Sequence, residues 1–184
     1  MLRAIASNTV KLAFNILNVL CPSSIVRAKL FKLFGASVGR GAKIERISLM
    51  HYEGGNLGNL VIGERVFIGP GTIIDIKDTV VIGDSVKIAS GCNISTHADC
   101  GKENAISELY PPRTGKVIIG GRTWIGLSTT ILCGVMIGSD SVVGACSLVT
   151  RDIPSGVLAF GVPAKVRKTL FGSLITTTEQ EEPS

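Results

Sequence analysis

The sequence predicts a parallel β-helix, a solenoid of short strands, and three observations point to it. Counting in sixes from Ile119 lands on Ile125, Ile131, Ile137, Val143 and Val149, all aliphatic and β-branched. The residue after each of these six is Gly120, Gly126, Leu132, Gly138, Gly144 and Thr150, and the residue four after is Thr123, Thr129, Val135, Ser141, Ser147 and Ile153. Aromatic residues make up only 5% of the chain while glycine numbers 22, which suits a narrow prism better than a broad sandwich. A helical period cannot hold a six-residue phase over six repeats. A short strand followed by a tight corner can, with a small residue expected where the backbone turns. Three such units close a triangular coil, and stacked coils bury columns of like side chains that no single repeat could bury.

At 184 residues the chain is long enough for one such core with appendages. Residues 1–34 lack the repeat and read as a helical segment. Two helices are expected there, with Leu12, Ile16, Val19 and Leu20 on one stripe and Pro22, Ser23 and Ser24 restarting the chain. Asn8, Asn15 and Asn18 break the apolar run, which leaves it too broken for a membrane span and a poor signal-peptide core. Arg3, Lys11, Arg27, Lys29, Lys32, Arg40 and Lys43 all precede the first acid, Glu45. A basic amphipathic segment of this kind either covers the open end of a solenoid or lies on an anionic membrane. Nucleic acid is a weaker reading, because no aromatic interleaving or binding motif accompanies the charge.

The β-helix is expected over residues 35–168, starting weakly at Val38. Ile44 and Ile62 lie eighteen apart, which reads as one loosely patterned coil. Strong repeats follow at Ile62, Ile68 and Ile74, then at Ile76, Ile82, Ile88 and Ile94. The two-residue slip at Asp75 marks a bulge or small loop. Residues 98–115 form a polar loop that a regular stack does not need, and loops on a rigid scaffold tend to line sites. Residues 169–184 read as a disordered tail. Five cysteines, an odd number, do not suggest a disulfide framework, and Cys92, Cys133 and Cys146 fall inside repeats as small apolar groups. Reduced cysteines fit a cytoplasmic protein.

His97 heads the long loop directly after an intact repeat, so the stack fixes its position. The segment NISTH resembles the motif that carries the catalytic histidine in the galactoside, maltose, nodulation-factor and xenobiotic acetyltransferases. Two further stretches extend the resemblance over roughly residues 36–168: GRTWIG, and IGSDSVVGACSLVTRDIP followed by FGVPAKVRK. The family is that of the hexapeptide-repeat acyltransferases, and the resemblance implies a left-handed β-helix, an acetyl-CoA donor and a homotrimer with sites shared between subunits. It implies His97 as general base, the Leu127 amide as oxyanion donor and Asp75 as a contact to an acceptor hydroxyl. It also implies a coenzyme groove lined by Trp124, with backbone contacts from Leu127 and Ala145 and with Arg151, Lys165 and Lys168 around the phosphates. A sugar hydroxyl needs a base to attack a thioester at neutral pH, and imidazole suits that task. Cations suit the phosphates of coenzyme A. Asp99, Asp75 and a main-chain carbonyl are all candidates to orient His97.

The expected function is O-acetylation of a sugar or glycan precursor, as in polysaccharide biosynthesis, with N-acetylation of an amino sugar as the alternative. A non-catalytic or metal-binding β-helix trimer is a further reading. The γ-class carbonic anhydrases share the fold but bind zinc through three histidines, and this chain has only His51 and His97. A site of Cys92, His97 and Cys100 is the remaining metal arrangement; no metal is expected.

Overall fold

The computed structural model describes residues 2–52, 55–101 and 105–170, with side chains from Asn8 onward. Two helices, α1 (Leu2–Leu20) and α2 (Ser24–Leu33), precede a stack of three-sided coils. The first face consists of Ser37–Val38, Leu60–Ile62, Val80–Ile82, Val117–Ile119 and Met136–Ile137. The second is Lys43–Ile44, Phe67–Ile68, Lys87–Ile88, Trp124–Ile125, Val142–Val143, Val157–Phe160 and Lys165–Thr169, and the third is Ser48–Met50, Ile73–Asp75, Asn93–Ile94, Thr130–Ile131 and Leu148–Val149. Pairing along each face is parallel, and only the last strand, Lys165–Thr169, runs antiparallel to its neighbour. The fold is the left-handed parallel β-helix.

The six-residue pattern becomes three interior columns. Ile62, Ile82, Ile119 and Ile137 stack on one face, Ile44, Ile68, Ile88, Ile125 and Val143 on the next, and Ile74, Ile94, Ile131 and Val149 on the third. All are buried, and each contributes about 1.5–3 kcal/mol by leaving water. The residues four places on, Thr123 to Ile153, are buried as well, and Thr123 and Thr129 satisfy their hydroxyls on the carbonyls of Gly138 and Gly144 in the next coil.

The small residue after each aliphatic one has a different cause from the one expected. These glycines do not turn the chain; a Cβ on Gly83 would lie 2.7 Å from the Gly121 nitrogen of the next coil, and one on Gly126 2.5 Å from that of Ala145. The left-handed conformation falls two residues later, at Arg65, Ser85, Arg122, Ser128, Asp140 and Cys146, with φ between 54 and 60°. Cys146 is therefore an exposed corner residue, whereas Cys92 is buried.

The register of the first coil also differs from expectation. Val38 pairs with Ile62 and Ile44 with Ile68, so this coil advances by twenty-four residues rather than eighteen. The extra residues fall between the strands Ser48–Met50 and Leu60–Ile62. The eighteen-residue spacing of Ile44 and Ile62 relates residues on different faces. At Asp75 the expected slip is present, and the coil from Ile62 to Ile82 spans twenty residues.

At the open end of the stack, α2 buries Arg27, Ala28 and Phe31. Arg27 donates to the carbonyls of Asn18, Cys21 and Ile44, joining α1, the interhelical turn and the first coil. Phe14 of α1 packs edge-on against Phe31, Phe34 and Tyr52. The stripe of Leu12, Ile16, Val19 and Leu20 faces away from the body, at 49–72% exposure. At the other end the chain continues as strand to Thr169, and Leu170 donates to Gly156, so the expected tail begins later than 169; residues 171–184 lie outside the described residues.

Candidate active site

Three successive coils each deliver one side chain to the corner after the third face. Leu49, Ile74 and Ile94 stack in register, and His51, Asp75 and His97 follow them by two, one and three residues. Asp75 is buried, and both its oxygens accept. Oδ2 takes His97 Nδ1 at 2.6 Å, Thr96 N at 2.9 Å and Thr96 Oγ1 at 2.8 Å. Oδ1 takes His51 Nδ1 at 2.9 Å and Lys77 N at 3.2 Å. Burial alone would raise this carboxyl, but hydrogen bonds from His97, Thr96 and Lys77 outweigh it and hold Asp75 at about 2.

An ionised carboxylate only accepts, so both histidines donate through Nδ1 and each neutral ring keeps its Nε2 lone pair. Neither Nε2 has a hydrogen-bond partner among the described residues. The rings stand edge to face, 4.3 Å between centroids. This corner is the one grouping of three metal-ligating side chains among the described residues. The contacts from both Nδ1 atoms to Asp75 have hydrogen-bond lengths. The alternative set of Cys92, His97 and Cys100 does not assemble, because Cys92 lies in the core with its thiol on the carbonyls of Ala89 and Gly126.

Of the three candidates to orient His97, Asp75 does so. Asp99 instead pairs with Lys77 at 3.2 Å, and the His97 carbonyl accepts from the Ser95 hydroxyl. The loop 98–115 is held at its base, where His97–Ala98 pairs antiparallel with Arg113–Thr114. Its tip exposes Leu109 and Tyr110.

Two cavities flank the corner. One of about 210 Å³ is lined by His97, Arg113, Leu132, Cys133 and Thr150, climbing the stack. The other, of about 540 Å³, is lined by His51, Lys11, Tyr52, Asn56, Asn59 and Lys77, towards the helices. Of the remaining expected site residues, all but Arg151 lie on other faces or corners of the single chain. Trp124, Lys165 and Lys168 are exposed on the second face, and Leu127 and Ala145 occupy stacked corners between the second and third faces. The amides of Leu127 and Ala145 donate to nothing among the described residues, while the Leu127 carbonyl accepts from Cys146. Arg151 is exposed at the His97 corner, two coils further along.

His51 was missed by sequence reasoning. Recognising the twenty-four-residue first coil would have placed His51 level with Asp75, within one residue of the observed register in which Leu49 stacks on Ile74.

The comparisons with known proteins agree with this architecture. The family described as hexapeptide repeat of succinyl-transferase matches residues 59–95 and 116–151. The galactoside O-acetyltransferase of Escherichia coli K12 is 36% identical over 145 residues, 76% of this chain and 66% of that one. The galactoside O-acetyltransferase of Lactococcus lactis is 33% identical over 115 residues, 62% of this chain and 45% of that one. The chain thus spans about two thirds and just under half the lengths of these relatives. A galactoside acetyltransferase structure in complex with coenzyme A superposes with a TM-score of 0.67 at 26% identity, covering 98% of this chain and 88% of that one. A maltose O-acetyltransferase from Clostridium difficile 630 gives 0.68 at 26%, covering 92% and 87%. The repeat, the coil geometry and these relatives together place the chain in the family of hexapeptide-repeat acyltransferases.

Proposed function

We propose that the protein transfers an acetyl group from acetyl-CoA to a hydroxyl of a sugar or glycan precursor, with His97 as general base oriented by Asp75. The observation that carries this reading is the 2.6 Å contact between His97 Nδ1 and Asp75, which leaves Nε2 as the basic atom. The hydroxyl proton passes to Nε2 as the oxygen attacks the thioester carbon. Ionised Asp75 stabilises the imidazolium that forms, and the imidazolium then protonates the leaving thiolate. The Leu127 amide, without a partner among the described residues, is the oxyanion donor. Trp124 and Ala145 line the coenzyme groove, and Arg151, Lys165 and Lys168 meet its phosphates. Relatives named as galactoside O-acetyltransferases and the coenzyme A complex support the donor and acceptor classes. The test is an acceptor screen with acetyl-CoA, following free thiol and acetylated product. Acceptor-dependent thiol release is expected; release with amino sugars alone would shift the reading to N-acetylation.

The placement of Trp124 on the second face and of Leu127 at the corner before the third, away from the His97 corner, supports a homotrimer whose sites lie between subunits. The outward stripe of α1 favours contact with the inner face of an anionic membrane. No described helix is long and apolar enough to cross a membrane. Leu12→Asp with Ile16→Asp should abolish co-sedimentation with phosphatidylglycerol vesicles and leave acetylation of a soluble sugar unchanged. Retained sedimentation, or none in the parent protein, would contradict it.

A further inference from the structure

The corner holds one histidine more than general-base chemistry requires. His51 directly follows the strand Ser48–Met50 with φ of 55°, a left-handed conformation that costs a non-glycine residue about 1 kcal/mol. Its Nδ1 is tied to the same buried carboxylate as that of His97, at 2.9 Å. Its side chain is nevertheless 40% exposed, against 18% for His97, and it lines the larger polar cavity. His97 lines the smaller one. Each ring therefore offers an unpartnered nitrogen, and the two ring centres are 4.3 Å apart.

We infer that His51 is a second substrate-binding histidine, whose Nε2 accepts a hydrogen bond from the hydroxyl next to the one His97 deprotonates, so that the site selects acceptors carrying two neighbouring hydroxyls. Asp75 fixes both rings in the same tautomer, with Nδ1–H donating and Nε2 accepting, so both present acceptors to a donor pair. Hydroxyls on adjacent carbons of a pyranose supply such a pair, at a spacing two rings this close can meet. In the wall of the 540 Å³ cavity the Asn56 amide nitrogen and the Asn59 amide oxygen are available to the remaining hydroxyls of the ring, the other end of each amide being held by Gly58 and by the Ile76 and Lys77 carbonyls. A site built to accept from a hydroxyl discriminates strongly against an analogue that lacks it. This inference rests on the acyl-transfer reading for the role of His97, but the binding geometry can be measured without turnover.

His51→Asn separates contact from support. The Asn amide nitrogen replaces Nδ1 and can still donate to Asp75, whereas the distal nitrogen is lost; His51→Ala loses both. For a methyl pyranoside acceptor, His51→Asn should lower kcat/KM about tenfold while leaving KM for acetyl-CoA unchanged. The matching deoxy pyranoside, lacking the neighbouring hydroxyl, should be as poor with the parent protein and no poorer with His51→Asn. Full activity in His51→Asn with loss only in His51→Ala would assign His51 a supporting role and overturn the inference. So would independent, multiplicative losses from the substitution and the deoxygenation. Because the chain has two histidines, the ring ¹⁵N resonances can be followed while methyl pyranosides are added without acetyl-CoA. Shifts of both Nε2 signals are expected, and with no turnover they would uphold the inference while the acyl-transfer reading failed. A shift at His97 alone, or at neither ring across the panel, would overturn it.

Discussion

Asp75 is the residue on which the corner depends, because five hydrogen bonds from three coils converge on one carboxylate. Its pKa lies below the ordinary value of 3.8, at about 2. A depressed carboxyl stabilises the fold above the unfolded value and loses that contribution as pH falls through the folded one. The contribution is about 2 kcal/mol and should disappear between pH 4 and pH 2. Asp75→Asn should remove this acid-side slope, measured as urea midpoints across that range, and an unchanged slope would show that another group carries it. The substitution should also lower turnover at neutral pH, since a carboxamide does not compensate an imidazolium. His97 was legible in the sequence because it heads a loop after an unbroken repeat. Asp75 was legible only as a candidate: the sequence locates the slip that frees it but not which of two aspartates turns inward. Asp99, two residues after His97 in the polar loop, is drawn off by Lys77.

At the scale of the coil, the repeat was readable wherever side-chain size is set by the neighbouring coil. The aliphatic positions and the buried Thr and Ser positions of residues 117–153 all take their expected places. The cause assigned to the glycines was not readable, because a sequence does not distinguish a glycine needed for φ from one needed for closeness. Two substitutions separate these causes. Gly83→Ala puts a methyl against the backbone of Gly121 and should cost about 3 kcal/mol or more. Gly134→Ala meets nothing within 4 Å and carries only the strain of φ at 81°, about 1 kcal/mol. Equal losses of stability on thermal unfolding would contradict the close-approach account. The first coil escaped the sequence because an insertion of one hexad's length preserves phase: Ile44 and Ile62 stay in step while belonging to different faces. That insertion carries His51.

Across the whole molecule, the corner that holds His97 and the face that holds Trp124 point in different directions, and we propose that a neighbouring copy completes the site. Mixing His97→Ala chains with Trp124→Ala chains should recover part of the activity that each lacks, through hybrid interfaces holding both native residues. A fully active monomer at low concentration would contradict shared sites. The proposal that His97 performs the transfer chemistry is tested most directly by one rate. With acetyl-CoA and an acceptor found in the screen, His97→Ala should still fold, less stable by the hydrogen bond lost to Asp75, and should release thiol at least about 100-fold more slowly; release at the parental rate would contradict the account.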